Sequence, residues 1–345
     1  MSKLIVMVGL PGSGKSYIAN NILNKENDYN IFSSDLYRKR LYGDENDQTH
    51  NQEVFNTLYY EIRQCLMYGR DCIFDATNTT RKARARIFNQ LKGIKELIVE
   101  AYVMRTPFER CVENDLNRER TVGYEVIKKF LYSYEFPQKF EGFNKIIIDK
   151  FPIDDVQYIT DVIAPTYWET LDKMKKWDQE NPHHIHCLYD HCFILADQFL
   201  PSSPMWEAGI LHDVGKLFTR HYDEQNIAHY YNHDCVGTYY VLSTLLEYLI
   251  DGFYNYQDTI EYILFLINYH MKGHKDFRGK NESKYRKIFG DEWYNDLIRF
   301  ADADIFASGT ESIHEELQQW IKIDKLTLEE IRNKEIYLEL MSKKS

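Results

Sequence analysis

The chain has 345 residues, of which 44% are hydrophobic and 15% aromatic, and its formal net charge is −11. This length favours two domains, and the composition argues against extensive disorder or low complexity. Six cysteines, none in C-x-x-C spacing, argue against a structural zinc site and fit a reducing compartment. No apolar stretch approaches a membrane span, so we expect a cytoplasmic protein with no membrane partner.

Charge is divided unevenly between the two halves. Residues 1–150 hold 23 Lys and Arg against 20 Asp and Glu; out of totals of 42 and 53, the remainder holds 19 against 33. The first half therefore suits a polyanionic ligand better, and the second half suits cations such as metals. Two ordinary solvated surfaces explain the asymmetry equally well.

Strand and helix patterns alternate in the first half, as in a parallel α/β sheet. The patterns predict strands over Lys3–Val8, Asn30–Ser33, Cys72–Asp75, Leu97–Val103 and Lys145–Ile148. They predict helices that begin near Lys15, Gln48, Arg81, Thr106 and Tyr124. Helical periodicity dominates after Tyr167, so we predict an α/β domain over residues 1–155 and an all-α domain over residues 166–345, with the boundary between residues 150 and 166.

A glycine-rich motif follows the first predicted strand. Residues 9–16 read G-L-P-G-S-G-K-S, the G-x-x-x-x-G-K-S pattern of a phosphate-binding loop. A strand that feeds such a turn and then a helix aims several backbone N–H groups at one phosphate. We expect Lys15 to reach the β- and γ-phosphates of ATP or another nucleoside triphosphate, and Ser16 to bind Mg²⁺. The nucleotide-binding residues predicted from the motif are Gly9, Gly12, Ser13, Gly14, Lys15 and Ser16.

Polar residues follow the second and third predicted strands, at the edge of the sheet where ligands bind. Asp35 could accept a proton from an attacking hydroxyl and Arg38 could bind a substrate phosphate, although Asp35 could equally cap a helix. Asp75 and Asn78 could orient a substrate or a metal-bound water, and a simple turn is the competing interpretation.

Two arginines, Arg118 and Arg120, lie in a polar stretch between two predicted helices. They could form a lid that brings cations to the transferring phosphoryl group, where negative charge develops. Solvated surface arginines are the alternative. The pattern does not say which of the two arginines is the catalytic one.

Residues 1–150 resemble the 5′-hydroxyl polynucleotide kinases of the phage and bacterial end-healing type. The resemblance rests on the phosphate-binding loop, on Asp35 and Arg38, on Asp75 and Asn78, and on the arginine-bearing lid. It implies that Asp35 is the general base for the 5′-hydroxyl and that Arg38 contacts the adjacent phosphate. Lys15 and a lid arginine would then stabilise the phosphates.

The second half carries a spaced set of histidines and aspartates around the sequence Leu211-His212-Asp213-Val214-Gly215-Lys216. Imidazole and carboxylate ligands together suit Mn, Fe, Co, Ni or Zn. The pattern resembles the HD phosphohydrolase superfamily, H…HD…H…H…D, over residues 180–310. The resemblance assigns one metal to His191, His212, Asp213 and Asp302. It gives His233 and His270 to a second metal or to phosphate, and Lys216 to a phosphate oxygen. His184 precedes the helix of His191. Asp304 is a rival to Asp302, but the Ala-Asp-Ala sequence around Asp302 favours Asp302.

These features together predict a bifunctional enzyme that heals RNA or DNA ends. The kinase would phosphorylate 5′-hydroxyl ends, and the HD module would remove a 3′- or 2′-phosphate or a 2′,3′-cyclic phosphate, leaving joining to a separate ligase. A kinase and phosphohydrolase of free nucleotides or small metabolites is one alternative, and a nucleotide-sensing regulatory protein is another. The basic run after His270 could follow a nucleic-acid backbone or could be a charged loop without a ligand. It comprises Lys272, Lys275, Arg278, Lys280, Lys284, Arg286 and Lys287.

Overall fold

The computed structural model describes residues 2–149, 164–181, 184, 186–246, 248–249 and 257–308. The described residues form two compact units, one mainly within residues 1–155 and one mainly within residues 156–345. The domain boundary predicted between residues 150 and 166 lies almost entirely outside the described residues. Among the residues that are described, no helix is both long and apolar enough to cross a bilayer.

A five-stranded parallel sheet forms the centre of the first unit, with the strand order β2-β3-β1-β4-β5. The strands are β1 (Ser2–Val8), β2 (Asn30–Ser33), β3 (Cys72–Asp75), β4 (Leu97–Val103) and β5 (Lys145–Ile148). The central strand β1 is almost wholly buried, which fits a parallel sheet covered on both faces. The predicted parallel sheet with flanking helices is confirmed.

The helices of the first unit lie between the strands in the sequence, one or two in each connection. Helix α1 consists of Lys15–Ile18, a π-type turn over Ala19–Leu23, and Asn24–Asn27. The others are α2 (Ser34–Tyr42), α3 (Asn51–Met67), α4 (Arg81–Leu91), α5 (Phe108–Leu116) and α6 (Tyr124–Leu131). Helix α4 has a side-chain cap, because the Thr80 hydroxyl accepts a hydrogen bond from the Ala83 N–H at 3.1 Å. Helix α2 does not appear among the predicted helices, and Gly43, at φ 75°, caps its carboxyl end.

Parallel strands place their carboxyl ends along one edge of a sheet, and the loops that follow them carry the polar residues of interest. The phosphate-binding loop follows β1, Ser34 and Asp35 follow β2, and Ala76 to Asn78 follow β3. The order of the strands in the sheet makes these three strands immediate neighbours. The fold therefore brings together segments that are up to about 70 residues apart in the sequence, as the Asn78–Met7 hydrogen bond at a separation of 71 residues shows.

The described part of the second unit is built of helices. They are α7 (Ala164–Lys175), α8 (Leu188–Ala196), α9 (Pro204–Leu211), α10 (Lys216–Thr219), α11 (His233–Tyr240), α12 (Gln257–His274), α13 (Glu282–Phe289) and α14 (Asp291–Ala307). A π-type turn over Val241–Leu245 continues α11. The helical character predicted for this half is confirmed, except that a two-stranded antiparallel pair, His221–Tyr222 with Ala228–His229, interrupts it.

Candidate functional sites

The phosphate-binding loop depends on a glycine at position 12. Gly12 has φ 78°, and a Cβ atom built on it would lie 2.1 Å from the carbonyl oxygen of Cys111 in α5. No other residue type fits there without moving the backbone. The Asn114 side chain donates a hydrogen bond to the Gly12 carbonyl at 2.9 Å, so α5 also holds the loop in position.

The loop residues Lys15 and Ser16 form a polar cluster with Asp75. The Lys15 Nζ atom donates to the Leu10 carbonyl at 2.8 Å, and the Ser16 hydroxyl donates to Asp75 Oδ2 at 2.7 Å. Burial lowers the pKa of Lys15 and raises the pKa of Asp75, while the attraction between the two charges opposes both effects. Ser16 and Asp75 are well placed to share one Mg²⁺, since a hydroxyl and a carboxylate oxygen are ligands that this ion prefers.

Asp35 is held between two arginines. Arg38 Nη1 lies 2.7 Å from Asp35 Oδ1, and Arg120 Nη1 lies 2.8 Å from Asp35 Oδ2. Arg38 also donates to Asn51 Oδ1 at 2.9 Å, and Arg120 to Asn46 Oδ1 at 2.6 Å. The Asp35 side chain is half-exposed, so its carboxylate lies at the surface of a cavity rather than in the core. This arrangement brings the predicted base together with Arg38 and with Arg120, one of the two predicted lid arginines.

Arg118 occupies a different place from Arg120. It forms an ion pair with Asp115, whose Oδ1 accepts from Arg118 Nε at 2.9 Å. The same carboxylate accepts backbone N–H bonds from Val122 at 3.0 Å and Gly123 at 2.9 Å. Asp115 therefore ties down both ends of the arginine-bearing segment, and Arg118 is part of that anchor. Of the two predicted lid arginines, Arg120 is the one that contacts Asp35.

Asn78 is not positioned to bind a substrate. Its side chain is buried and donates to the main-chain carbonyls of Met7 at 2.9 Å and Ala76 at 3.3 Å. It has φ 48°, a left-handed conformation that asparagine tolerates better than most residues. The predicted substrate role of Asn78 is therefore corrected. Its side-chain amide donates to backbone carbonyls and so stabilises the turn after β3.

One cavity of about 1180 Å³ connects the predicted kinase residues. Its lining includes Lys15, Ser16, Asp35, Arg38, Asp75, Arg118 and Arg120. Beyond them the wall continues with aromatic and polar residues of the neighbouring helices. These are Asn51, Gln52, Phe55, Asn56, Tyr59, Arg86, Asn89, Gln90, Lys129, Phe130 and Ser133.

A buried cluster of histidine and aspartate side chains lies in the second unit. Four residues offer ligand atoms within 4.8 Å of one another: His191, His212, Asp213 and Asp304. His191 Nε2 lies 3.2 Å from Asp213 Oδ2 and 3.1 Å from Asp304 Oδ1. His212 Nε2 lies 3.3 Å and 3.4 Å from the same two atoms. Ligand atoms about 2.1 Å from a shared metal lie ~3.0–3.4 Å apart, so these separations suit one ion.

The two histidines carry further evidence that the cluster suits a metal. His191 Nε2 and His212 Nε2 are fully buried and have no partner of hydrogen-bond geometry among the described residues, despite the nearby carboxylates. Burial lowers the pKa of both imidazoles, but Asp213 and Asp304 outweigh it and raise the pKa of each. The same ion pairing holds the pKa of Asp213 and of Asp304 well below the usual range, against the effect of burial. A divalent cation would replace the missing interactions with the Nε2 atoms.

Asp213 also belongs to a second set, with His233 and His270. Asp213 Oδ1 lies 2.9 Å from His233 Nε2 and 3.6 Å from His270 Nε2. Its two oxygens thus face two different sets of imidazoles. A carboxylate in this arrangement could bridge two metals, and the sequence analysis gave His233 and His270 to a second metal or to phosphate.

Backbone carbonyls orient three of the histidines. The Nδ1 atoms of His212, His233 and His270 lie 2.8, 2.6 and 2.7 Å from the carbonyl oxygens of the residues three positions earlier, Gly209, Tyr230 and Ile267. Because Nδ1 must carry a proton in such a bond, Nε2 is the atom that can offer a lone pair to a metal in the cluster.

Close packing of backbones brings the His212-Asp213 turn to α11. A Cβ atom on Gly215 would lie 2.0 Å from the His233 carbonyl oxygen, so only glycine fits at this position. The sequence showed this residue as part of the motif, but its packing role depends on the tertiary structure.

The structure contradicts the predicted ligand Asp302, because Asp304 and not Asp302 lies in the cluster. The Asp304 side chain is 8% exposed and lies in the cluster, whereas the Asp302 side chain is 38% exposed and pairs with Arg278. Two residues that lie two positions apart on an α-helix point in directions that differ by about 200°, so only one of Asp302 and Asp304 can face the core. The buried positions Phe300, Ala301 and Ala307 of α14 lie on the side that Asp304 shares.

Lys216 and His184 border the cluster. Lys216 Nζ lies 2.7 Å from Asp213 Oδ2, 2.8 Å from Gln179 Oε1 and 3.3 Å from His184 Nε2. Burial lowers the pKa of His184 to about 3, so this imidazole is neutral at ordinary pH. Lys216 is therefore the cation nearest to the carboxylate that both sets of ligands share.

The basic run is less cationic than its composition indicates. Arg278 pairs with Asp302, and Arg286 pairs with Glu282 at 2.7 Å and Asp291 at 3.2 Å. These contacts neutralise two of the seven predicted cations and weaken the case for a backbone-binding track there.

Sequence reasoning did not single out several residues that support the two sites. Asp115, Asn51, Asn46 and Asn114 hold the lid and the loop, and His274 contacts Asp304 at 2.9 Å. The one available signal was the spacing of His270 and His274, which lie one helical turn apart.

Residues 4–137 match the family of AAA domains. A curated relative, 6-phosphofructo-2-kinase/fructose-2,6-bisphosphatase 4 of Macaca fascicularis, is 33% identical over 118 residues, which is 28% of this chain and 25% of the relative. The chain thus spans a quarter of the length of that relative.

Three solved structures are also similar to part of the chain. A protein of Chloroflexus aurantiacus provisionally assigned as a kinase has a TM-score of 0.36 at 13% identity, over 50% of this chain and 94% of its own. A gluconokinase of Sinorhizobium meliloti has a TM-score of 0.30 at 16% identity, over 42% of this chain and 81% of its own. A chain of the Pnkp1/Rnl/Hen1 complex has a TM-score of 0.30 at 16% identity, over 51% of this chain and 66% of its own. The family match and the loop geometry together show that residues 4–137 contain a P-loop domain similar to AAA domains.

Proposed function

We propose that the first unit is an ATP- and Mg²⁺-dependent kinase of nucleic-acid 5′-hydroxyl ends, and that the second unit is an HD-type metal-dependent phosphohydrolase. The second activity would remove a 3′- or 2′-phosphate or a 2′,3′-cyclic phosphate, so that a separate ligase could join the healed RNA or DNA ends. The observation that carries the kinase proposal is that Asp35, flanked by Arg38 and Arg120, lines the same cavity as Lys15, Ser16 and Asp75.

Phosphoryl transfer needs a base for the attacking hydroxyl and cations around the transferred group. In the proposed reaction the hydroxyl oxygen bonds to the γ-phosphorus while the bond from that phosphorus to the β–γ bridging oxygen breaks. Asp35 takes the hydroxyl proton, and ADP leaves. Lys15 would exchange its contact with the Leu10 carbonyl for phosphate oxygens, and Arg120 would stabilise the charge that develops on the transferred group.

The size and lining of the cavity favour a large acceptor. Its volume of about 1180 Å³ exceeds the ~300–1,000 Å³ of ordinary small-ligand pockets, so it has room for a nucleotide and part of a second substrate. Phe55, Tyr59 and Phe130 offer faces for base stacking, and Arg86 and Lys129 offer charges for a phosphodiester backbone. Arg38 is the residue that would hold the phosphate next to the reacting end.

The second unit supplies ligands for two metal ions and a cation for phosphate. One ion would be held by His191, His212, Asp213 and Asp304, and a second by Asp213, His233 and His270. Transition-metal ions bound there would provide Lewis acidity and an activated water for hydrolysis. Lys216 would turn from Asp213 to a phosphate oxygen of the substrate, since its ammonium group lies at the edge of the cluster.

A small phosphorylated metabolite is the second candidate for the kinase acceptor. The curated relative that matches part of the chain is named as a kinase and bisphosphatase of fructose phosphates. Its sequence identity to this chain is higher than that of the solved structures. The same Arg38 and Asp35 could serve a phosphorylated sugar with a free hydroxyl.

The kinase proposal is tested by transfer of labelled γ-phosphate from ATP to four acceptors. They are a 5′-hydroxyl RNA oligonucleotide, its DNA counterpart, a nucleoside 3′-phosphate and fructose 6-phosphate. We expect transfer to an oligonucleotide, and abolition by Lys15→Ala and by Asp35→Asn, with ATP binding kept in Asp35→Asn. The matched control is Asp172→Asn, an exposed carboxylate in a local ion pair of the second unit.

The outcomes of that assay separate the alternatives. Exclusive transfer to fructose 6-phosphate or to the mononucleotide would favour the metabolite kinase. ATP binding with no transfer to any acceptor would favour a nucleotide sensor. If Asp35→Asn phosphorylated oligonucleotides normally, Asp35 would not be the base, and its role would be limited to holding the two arginines.

The phosphohydrolase proposal is tested with 3′-phosphorylated and cyclic-phosphate oligonucleotides beside the matching mononucleotides. We expect hydrolysis that disappears on chelation, returns with Mn, Co, Ni, Fe or Zn, and is lost in His212→Ala but retained in Lys15→Ala. His229→Ala is the control, since His229 is a partly exposed histidine that also pairs with a carboxylate, Asp223, at 2.8 Å. Metal-independent hydrolysis, or full activity in His212→Ala, would contradict the assignment.

A further inference from the structure

We propose that His274 is a positioning residue that holds Asp304 in a single orientation, with one oxygen for metal and the other for the histidine. This inference rests on the proposed metal site. The two oxygens of Asp304 have separate neighbours: Oδ1 lies 3.1 Å from His191 Nε2 and 3.4 Å from His212 Nε2, whereas Oδ2 lies 2.9 Å from His274 Nε2. His274 is not a member of either ligand set among the described residues.

The packing of α12 against α14 fixes this contact. A Cβ atom on Gly273 would lie 3.0 Å from the Ala301 Cβ and 3.4 Å from the Leu297 carbonyl oxygen, so the missing side chain lets the two helices approach closely. His274 is the next residue on α12, and Asp304 lies three residues after Ala301 on α14. The short distance between their side chains is therefore a consequence of a close helix pair and not of a chance rotamer.

The chemistry of the pair defines its direction. A carboxylate only accepts hydrogen bonds, so His274 Nε2 must be the donor to Asp304 Oδ2. The same helix carries His270 one turn earlier, whose Nδ1 lies 2.7 Å from the Ile267 carbonyl, so Nε2 of His270 remains available for metal. Neighbouring histidines of α12 thus have different tasks: His270 offers a lone pair and His274 offers a proton.

The consequence concerns the number of ligand atoms that Asp304 can give. A carboxylate with two free oxygens can bind an ion through both, whereas Asp304 has only Oδ1 turned toward the cluster. Holding Oδ2 away leaves room for a water or a substrate oxygen, as open catalytic metal sites require. Hydrogen-bond partners of metal ligands usually matter by about 10- to 100-fold in metal affinity.

The experiment uses the whole chain, stripped of metal and titrated with Co²⁺. Visible absorption reports the coordination of Co²⁺, and the titration gives its affinity. We expect His274→Ala to weaken Co²⁺ binding by about 10- to 100-fold and to change the absorption spectrum. His274→Gln, which keeps a side-chain N–H donor, should recover most of both, and His229→Ala should match the wild type.

A double-variant comparison shows whether His274 acts through Asp304. If it does, His274→Ala should cause no further loss of affinity in an Asp304→Asn background. Circular dichroism of each metal-free variant comes first; if the alanine variant is unfolded, the comparison of His274→Gln with His274→Asn replaces it, because the shorter amide does not reach as far.

Two different failures are distinguishable. A wild-type chain that binds no Co²⁺ would overturn the proposed metal site and this role of His274 with it. A wild-type chain that binds Co²⁺, beside a His274→Ala variant with the same affinity and spectrum, would overturn the positioning role alone.

Discussion

Arg120 places its Nη1 atom 2.8 Å from Asp35 Oδ2, while the other oxygen of that carboxylate accepts from Arg38 at 2.7 Å. Both oxygens of the candidate base are thus paired with guanidinium groups. Each oxygen keeps a second lone pair that can accept a proton from a hydroxyl. Phosphate oxygens of ATP and of the acceptor are the natural competitors for the two arginines, because bidentate binding of phosphate is a property of this side chain.

The two lid arginines should differ in their contribution to phosphoryl transfer. Arg120→Ala should lower kcat by about 100- to 1000-fold, since it removes a cation that faces the site of transfer. Arg118→Ala should act less on kcat, because Arg118 pairs with the segment's anchor Asp115. Arg110→Ala, an exposed arginine paired with Glu113, is the control. Steady-state kinetics with ATP and a 5′-hydroxyl oligonucleotide give the comparison, and an inverted order of the two variants would refute the assignment.

Asp304 and Asp302 should differ in metal binding although they lie two positions apart. Asp304→Asn should lose bound metal, because its carboxylate lies in the buried donor cluster. Asp302→Asn should keep it, because Asp302 is partly exposed and paired with Arg278. Elemental analysis of the purified variants after incubation with Mn²⁺, Co²⁺ or Zn²⁺ measures the effect. Equal metal content in the two variants would show that Asp304 is dispensable as a ligand.

Metal binding should release protons and weaken as the pH falls. The pKa values of His191 and His212 are raised in the metal-free protein, so below these pKa values a metal must displace a proton from each imidazole. Calorimetric titration with Co²⁺ in two buffers of different ionisation enthalpy measures the number of protons released. A binding enthalpy that does not depend on the buffer, together with an affinity that does not depend on pH, would contradict this coupling.

The buried ion pair between Arg84 and Glu141 should stabilise the first unit. Arg84 contacts Glu141 through Nη2 at 2.7 Å and Nε at 2.8 Å, and it also donates to the carbonyls of Asn78 and Glu135, both at 2.9 Å. Glu141→Gln leaves the arginine charge buried without its full partner, so we expect a loss of about 3–5 kcal/mol in the free energy of unfolding.

Chemical denaturation measures this loss, with Glu113→Gln as the control. Glu113 forms an exposed pair with Arg110 at 2.8 Å, and such pairs contribute only ~0–1 kcal/mol. Similar losses in the two glutamine variants would show that the buried pair is no more important than a surface one.

The sequence was sufficient for features that depend on local chemistry. Residues Gly9 to Ser16 predicted the loop because a glycine that tolerates a positive φ at position 12 and a lysine at the start of a helix lie close together in the sequence. Four of the five strands begin and end where their hydrophobic pattern predicted, and β1 begins one residue earlier, at Ser2. The histidines and aspartates around His212 also limited the candidate ligands of the second site to imidazole and carboxylate groups.

The tertiary structure decided every question that depends on the direction of a side chain. The sequence favoured Asp302 over its rival Asp304, but the phase of α14 turns only Asp304 into the core. The structure also distinguishes Arg118 from Arg120, because Arg118 belongs to the anchor that Asp115 forms and Arg120 does not. Asn78 and Arg278 are used by contacts that no local pattern reveals. Such contacts join residues far apart in the chain, and only the packing of the helices and strands determines which of them meet.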